Sequence, residues 1–264
     1  MPFVSARRGL TDHGASHRVQ PDRRWRERGR QRDGDGCCLA WDGISRGRSD
    51  GRPMTSVRTE DVSFASGDLT LEGVIHLPAS SPSPAVAVCH AHPLHGGDMH
   101  NNVVVAICGA AAERGITALR FNFRGVGGSE GSFGDGVGER ADAAAALAYL
   151  RQLPEVDHDR VGVVGYSFGA AVALLAADEG LRAVVAVSTP TIARGLSEID
   201  VRCPALLVVG EDDQVAPASR LASLGPAVGL RAELTVVPGA DHFWWGAEGR
   251  LAGIVSDFLA TTLL

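Results

Sequence analysis

The 264-residue chain predicts an α/β protein: a mostly parallel eight-stranded sheet with helices on both faces. Three observations lead there. Two strand-like segments, 57–66 and 69–77, are joined by the tight turn Ser66-Gly67-Asp68 and give an antiparallel start. Short β-branched runs then alternate with Ala-rich segments of helical length, the pattern of repeated strand–helix units. The runs in the middle of the chain are apolar throughout instead of alternating, as strands covered on both faces are.

After the hairpin the order is strand 85–90, helix 101–114, strand 116–122, helix 138–152, strand 160–166, helix 168–179 and strand 182–188. Strand 204–210, helix 217–225, strand 231–237 and a last helix 247–262 complete it. Residues 1–53 do not fit this pattern. They hold 12 Arg against 7 acidic residues and no periodic apolar run, whereas the remainder holds 13 Arg against 24 acids. The net charge of −6 therefore divides into a tail near +5 and a body near −11. Such a tail cannot bury enough apolar surface to fold and is expected to be disordered. Met54 directly precedes the first strand and is an alternative start, which makes 54–264 the folded domain.

Several classes of function are disfavoured at this level. Basic stretches such as Arg23-Arg24-Trp25-Arg26 attract phosphates, but an early start accounts for them better, and no nucleic-acid partner is expected. The tail lacks the apolar core of a secretory signal, and nowhere is there an apolar span of about 18 residues for a membrane helix. Five unevenly spaced Cys do not form a disulfide framework. Cys89, Cys108 and Cys203 lie in apolar contexts and read as small buried hydrophobes. A cytoplasmic protein is the expectation; oligomeric state has no signature in the sequence.

The chemistry centres on Gly165-Tyr166-Ser167-Phe168-Gly169, which joins a strand to a helix. A G-x-S-x-G turn in that setting is a nucleophile elbow: it lifts the Ser above the sheet on a strained backbone, and larger residues in place of Gly would strike the neighbouring strand and helix. Ser167 is the candidate nucleophile. A hydroxyl needs a general base, commonly a His oriented by a carboxylate. Strand 204–210 runs into Glu211-Asp212-Asp213, and strand 231–237 runs into Pro238-Gly239-Ala240-Asp241-His242. Three strand ends thus bring a Ser, carboxylates and His242 to one edge of a parallel sheet, where open α/β folds carry their sites.

These residues resemble the α/β-hydrolase superfamily, and within it the small capless bacterial serine hydrolases related to dienelactone hydrolase. The likeness covers about residues 57–263 and rests on Arg120-Phe121-Asn122-Phe123-Arg124-Gly125, the elbow, Gly210 through Asp213 to Pro217, and Gly239-Ala240-Asp241-His242-Phe243, all in order. It implies the α/β-hydrolase fold without a cap domain, since the segment from Ser188 to Cys203 is too short to form one. It implies Asp213, three residues after Gly210 and four before Pro217, as the acid in preference to Asp212; Asp241, next to His242 on an extended loop, points away from it and reads as a loop-shaping or solvated residue. For the oxyanion it implies the backbone N–H groups of Phe168 and of the loop after the third strand. There His92 is the best donor, Pro93 has no N–H, and Leu94 is a second possibility.

The implied reaction is hydrolysis of small or varied carboxylic esters through an acyl-enzyme, with no cofactor. Peptidase, amidase or thioesterase activity on the same residues, or a non-catalytic binding protein of the same fold, are the alternatives. Leu94, Tyr166, Thr189 and Trp244 are the candidate cleft residues, with Trp244 and Trp245 equally explicable as packing at the start of the last helix. His90, His92, His95 and His100 offer imidazoles for a metal, but no accompanying ligand motif is present; His90 is expected to pack on the sheet edge and the others to shape the loop. The Gly-rich run Arg124 to Ser129 lacks the Lys and spacing of a phosphate loop and reads as a rim turn.

Overall fold

The computed structural model describes residues 57–191, 199–221 and 232–264. The expectations for the tail 1–53, for Met54 and for the far end of helix 217–225 fall outside these residues.

The hairpin forms as the turn at Gly67 predicts. Strands β1 (Arg58–Ser66) and β2 (Leu69–Leu77) pair antiparallel in unbroken register from Arg58 opposite Leu77 to Ser66 opposite Leu69. The other strands are β3 (Ser83–Cys89), β4 (Thr117–Phe121), β5 (Val156–Tyr166), β6 (Ala183–Val187), β7 (Ala205–Gly210) and β8 (Ala232–Val237). Their order is β1-β2-β4-β3-β5-β6-β7-β8; β2 lies antiparallel to β1 and β4, and every pair from β4 to β8 is parallel. β3, β6 and β7 are buried at every position, so no alternation was needed in their sequences.

Period-two geometry still divides those strands between two cores. Ala85, Ala87, Val163, Val184 and Leu207 face helices α2 (Val137–Gln152) and α3 (Phe168–Leu175), together with Phe64 and Leu71 of the hairpin. Val86, Val88, Val164, Val185 and Val208 face α1 (Asn102–Glu113) and the last helix, with Ile107, Leu251, Val255 and Leu259 packed over them. A short helix, α4 (Ala218–Leu221), follows β7, and α5 (Glu248–Leu263) ends the chain. Each fully buried Val, Leu or Ile side chain in these layers contributes about 1.5–3 kcal/mol of transfer free energy.

Two boundaries depart from expectation. β5 begins at Val156, not 160, because Val156 pairs with Ser83 past a register shift, while His158 and Asp159 point to solvent. α3 stops at Leu175, short of 179: Asp178 turns the chain by accepting the Gly180 N–H and pairs with Arg151 of α2. The connection from β6 to β7 runs only from Ser188 to Pro204, too short for a cap.

Two buried imidazoles tie the layers together. His76 of β2 accepts a hydrogen bond from Arg120 Nε at 3.1 Å, and His90, just past β3, accepts the Phe123 N–H at 3.1 Å while its Nδ1 faces the Ala91 carbonyl at 2.7 Å. Burial, aided at His76 by the Arg120 charge, lowers its pKa to about 4. Burial likewise brings His90 to about 4, against smaller raising effects of the Ala91 carbonyl and Asp98. Both groups are neutral when folded but titrate near 6.5 in an unfolded chain. The unfolded state then binds more protons between pH 6.5 and 4, and stability falls as pH falls through that window. For His90 the loss by pH 5 is on the order of 1–2 kcal/mol. Urea midpoints at pH 7 and pH 5 check this: the midpoint is expected to drop at pH 5, and a level or rising value contradicts it.

Candidate active site

Ser167 follows β5 directly and precedes the first residue of α3, with φ 55° and ψ −118°. This left-handed backbone costs on the order of 1–3 kcal/mol at a non-glycine residue and persists only where packing enforces it. The enforcement is visible. A Cβ on Gly169 would overlap the carbonyl oxygens of Cys89 and His90 at the end of β3, and one on Gly165 would overlap the Gly169 carbonyl and lie 2.6 Å from Ala170 Cα. The Ser167 N–H extends the β5–β6 ladder, donating to Val187 O at 2.8 Å.

Ser167 Oγ lies 3.0 Å from His242 Nε2, and His242 Nδ1 lies 2.9 and 3.0 Å from the two carboxylate oxygens of Asp213. With Nδ1–H donating to the carboxylate, Nε2 is free to accept the Ser hydroxyl proton. Asp213 is buried and also accepts the N–H groups of Val215 at 3.0 Å and Ala216 at 2.7 Å. Burial pushes its pKa up, but the hydrogen bond from His242, the Ala216 N–H, the His242 charge and the Ser188 hydroxyl outweigh this and hold it below the usual carboxylate range. Asp212 is exposed and gives its N–H to Ala240 O, so the structure places Asp213, not Asp212, against the imidazole. Asp241 is exposed too, and accepts the N–H groups of Phe243 and Trp244 at 2.9 Å. The His242 carbonyl accepts the Tyr166 hydroxyl at 2.7 Å; burial, then the charges of Asp213 and Asp241, keep that phenol protonated.

The loop after β3 leaves one backbone donor clear in its tight turn. Pro93 has no N–H; Leu94 donates to His92 Nδ1 at 3.2 Å, His95 and Gly97 donate to His92 O, and Gly96 donates to Pro93 O. Within residues 92–97 of the described structure, this leaves the His92 N–H without a protein partner and engages the alternative, Leu94. Phe168 opens α3, so its N–H is among those that helix geometry leaves without an intrahelical acceptor. The two segments are packed side to side: the His92 ring lies 4.8 Å from Phe168 and 5.0 Å from Phe133, and Phe133 lies 5.8 Å from Phe168.

The four loop imidazoles do not converge as metal ligands. His90 has both nitrogens engaged inside the core, His92 stacks on His95, and His100 Nδ1 contacts Arg120 at 3.2 Å. No three His, Cys, Asp or Glu side chains among the described residues are grouped to hold a metal. Cys89 and Cys108 are fully buried, and burial raises their thiol pKa values far from thiolate chemistry.

A cleft of about 440 Å³ opens beside Tyr166, with Phe243, Trp245, Asp98, Asn101 and Asn102 on its walls. Of the four expected cleft residues, only Tyr166 lines it. Trp244 is fully buried, because its positive φ of 59° turns the indole into the α5-side core and leaves Trp245 as the exposed wall. Thr189 is fully buried as well, and among the described residues its hydroxyl has no partner. Leu94 is exposed on the loop, and Tyr166 meets the cleft while remaining mostly buried.

The rim has supports that the sequence reading missed. Asp142 of α2, fully buried, accepts Arg124 N and Nε at 3.0 Å, Arg124 Nη2 at 2.7 Å and Ser66 Oγ at 2.7 Å. Glu139, also fully buried, accepts Gly134 N at 2.8 Å and Gly136 N at 2.7 Å. Glu72 accepts Asn122 Nδ2 at 2.6 Å and Gly128 N at 2.7 Å, which makes the Gly-rich run after β4 a pinned turn. Acidic residues facing inward on an otherwise amphipathic helix were the available signal.

Comparison with known proteins fits this architecture. The family model for X-Pro dipeptidyl-peptidases of the S15 family matches residues 38–197, a span that includes Ser167 and ends before Asp213 and His242. An uncharacterized protein of Rickettsia prowazekii is 33% identical over 195 residues, covering 69% of this chain and 82% of its own. Among solved structures, an α/β serine hydrolase homologue from Coxiella burnetii superposes with a TM-score of 0.70 at 32% identity, covering 79% of this chain and 100% of that one. A serine hydrolase without a lid from Xanthomonas campestris gives a TM-score of 0.70 at 28% identity, covering 80% and 98%. No helix among the described residues is long and apolar enough to cross a membrane. With its eight-stranded sheet, its elbow and these relatives, the chain belongs to the S15 X-Pro dipeptidyl-peptidase family of α/β hydrolases and carries the capless serine-hydrolase form of that fold.

Proposed function

We propose that the protein hydrolyses carboxylic esters of small or varied acyl groups by two-step acyl transfer. The observation that carries this is the hydrogen-bonded line from Ser167 Oγ through His242 to Asp213, at 3.0 and 2.9 Å. His242 takes the Ser167 proton as Oγ attacks the ester carbonyl. Asp213 remains a carboxylate and stabilises the imidazolium. The N–H groups of Phe168 and His92 receive the oxyanion. The tetrahedral intermediate collapses, the alcohol leaves with the proton that His242 held, and the acyl group stays on Ser167. Water, deprotonated by His242, then attacks the acyl-enzyme and releases the acid. The exposed faces of Phe243 and Trp245 beside Tyr166 favour substrates with an apolar portion, and the missing cap favours breadth over a narrow fit.

A peptidase reading has one specific observation in its favour, the S15 family match. The same residues would then expel an amine, which requires firm protonation of the leaving nitrogen by His242. An ester makes no such demand, and an open cleft holds the imidazolium less securely against water.

Ser167→Ala is expected to lower p-nitrophenyl acetate hydrolysis by at least about 10³-fold and to abolish fluorophosphonate labelling, with an unchanged circular dichroism spectrum. Hydrolysis at the parent rate would remove Ser167 from the mechanism. Asp213→Asn forces the wrong imidazole tautomer and should cost about 10³- to 10⁴-fold in kcat, while Asp212→Asn stays within about twofold. Equal losses in the two would contradict the assignment. Comparing p-nitrophenyl esters with Ala-Pro-p-nitroanilide separates the two substrate classes: the esters are expected to give the higher kcat/KM, and preference for the anilide would establish the peptidase reading.

A further inference from the structure

The cleft beside Tyr166 faces one particular part of a substrate. In the proposed reaction the acyl–oxygen bond breaks as His242 hands the leaving oxygen the proton it took from Ser167. The leaving group must then lie beside the imidazole. Two cleft walls are built against that ring: Tyr166 and Phe243 have ring centroids 5.8 and 5.7 Å from His242, and the Tyr166 hydroxyl holds the His242 carbonyl. At about 440 Å³ the cleft is therefore placed, and large enough, for the departing alcohol.

Its walls carry one charge that the fold leaves partly unused. Asp98 is half-buried; one carboxylate oxygen accepts the His100 N–H at 2.7 Å, and among the described residues the other has no hydrogen-bond or ion-pair partner. The other polar side chains of the walls are engaged. Asn101 Oδ1 caps α1 by accepting the Val103 N–H at 3.0 Å, Asn102 Nδ2 donates to Glu248 Oε1 at 2.9 Å, and His100 Nδ1 accepts from Arg120, which can only donate. Arg120 also donates to His76 and to Met99 O, and it is not on the cleft wall. The apolar walls are aromatic and open, with Trp245 74% and Phe243 50% exposed. A carboxylate with a free oxygen beside two exposed aromatic faces attracts an organic cation, through charge at the first and cation–π contact at the second. A neutral hydrocarbon gains nothing from the carboxylate, and an anion is repelled by it.

We propose that this cleft is the leaving-group subsite, and that Asp98, Phe243 and Trp245 select esters whose alcohol carries an alkylammonium group. The proposal rests on the ester-hydrolase reading of the site and names a substrate class for it. Asp212 and Asp241 are exposed carboxylates on the same sheet edge, but neither lines the cleft, and Asp241 accepts the N–H groups of Phe243 and Trp244. They add to the general negative field of the edge. Asp98 alone places a carboxylate on the cleft wall among the aromatic faces.

Acetylcholine and dimethylbutyl acetate, its uncharged isostere, share an acyl group and differ in a quaternary nitrogen against a carbon. The ratio of their kcat/KM values, each corrected for its rate of hydroxide hydrolysis, therefore reads the cleft. The parent protein is expected to favour acetylcholine by about tenfold, the size that a cation–π contact and an exposed ion pair give together. Asp98→Asn keeps an acceptor for the His100 N–H and removes the charge; it is expected to lower the ratio about fourfold. Trp245→Ala is expected to lower it about threefold. Asp212→Asn, which alters only the general field of the edge, should keep the ratio within about twofold of the parent. A parent ratio near unity, a ratio unchanged in Asp98→Asn or in Trp245→Ala, or an equal fall in Asp212→Asn overturns the proposal. If neither ester is hydrolysed, the ester reading fails and binding decides the cleft. Saturable quenching of tryptophan fluorescence by butyltrimethylammonium, with affinity about fourfold weaker in Asp98→Asn, then upholds the cation site. Quenching that does not saturate, or that Asp98→Asn does not weaken, overturns it.

Discussion

The close approach of α3 to the end of β3 governs the rest of this site. Gly169 sits so near the carbonyls of Cys89 and His90 that no side chain fits between them. That contact forces the turn at Ser167 into left-handed backbone and aims its hydroxyl above the sheet edge. The same contact brings the start of α3 beside the loop after β3, so the Phe168 and His92 segments become neighbours. A methyl group at this point would push the Ser167 turn away from the end of β3.

Around this contact the protein uses buried charge, at Asp142 and Glu139, and half-buried charge, at Glu72, where many folds use apolar packing. Asp142, Glu139 and Glu72 each gather backbone N–H groups of the loop between β4 and α2, and Asp142 also holds Arg124 in a two-point pair. An unpaired buried carboxylate is costly, whereas one that accepts several hydrogen bonds fixes its loop. Phe133, carried on that loop, closes the aromatic group with His92 and Phe168.

Much of this was legible in one dimension because the signals are local. The Gly67 turn, the uniformly apolar runs of β3, β6 and β7, and the glycines at 165 and 169 each express a steric or burial demand met within a few residues. His242 and the acidic pair after β7 were legible as strand-end residues. The resemblance to known hydrolases then selected Asp213 from that pair. Trp244 and Thr189 were misplaced because strand-end position says which edge a residue reaches, not which way its side chain turns. A positive φ at Trp244 reverses it relative to Trp245, and nothing in the pair Trp244-Trp245 announces that reversal.

The sequence by itself determined the sheet, the elbow and the edge on which a Ser, a carboxylate and a His would meet, since each depends on burial period, turn chemistry or chain order. Only the tertiary structure decided the distances among them and the engagement of Leu94 that leaves His92 as the free donor of its turn. The distances join residues far apart in the chain, and they exist only once the strands have been brought into register, while the Leu94 bond needs the loop to close its turn.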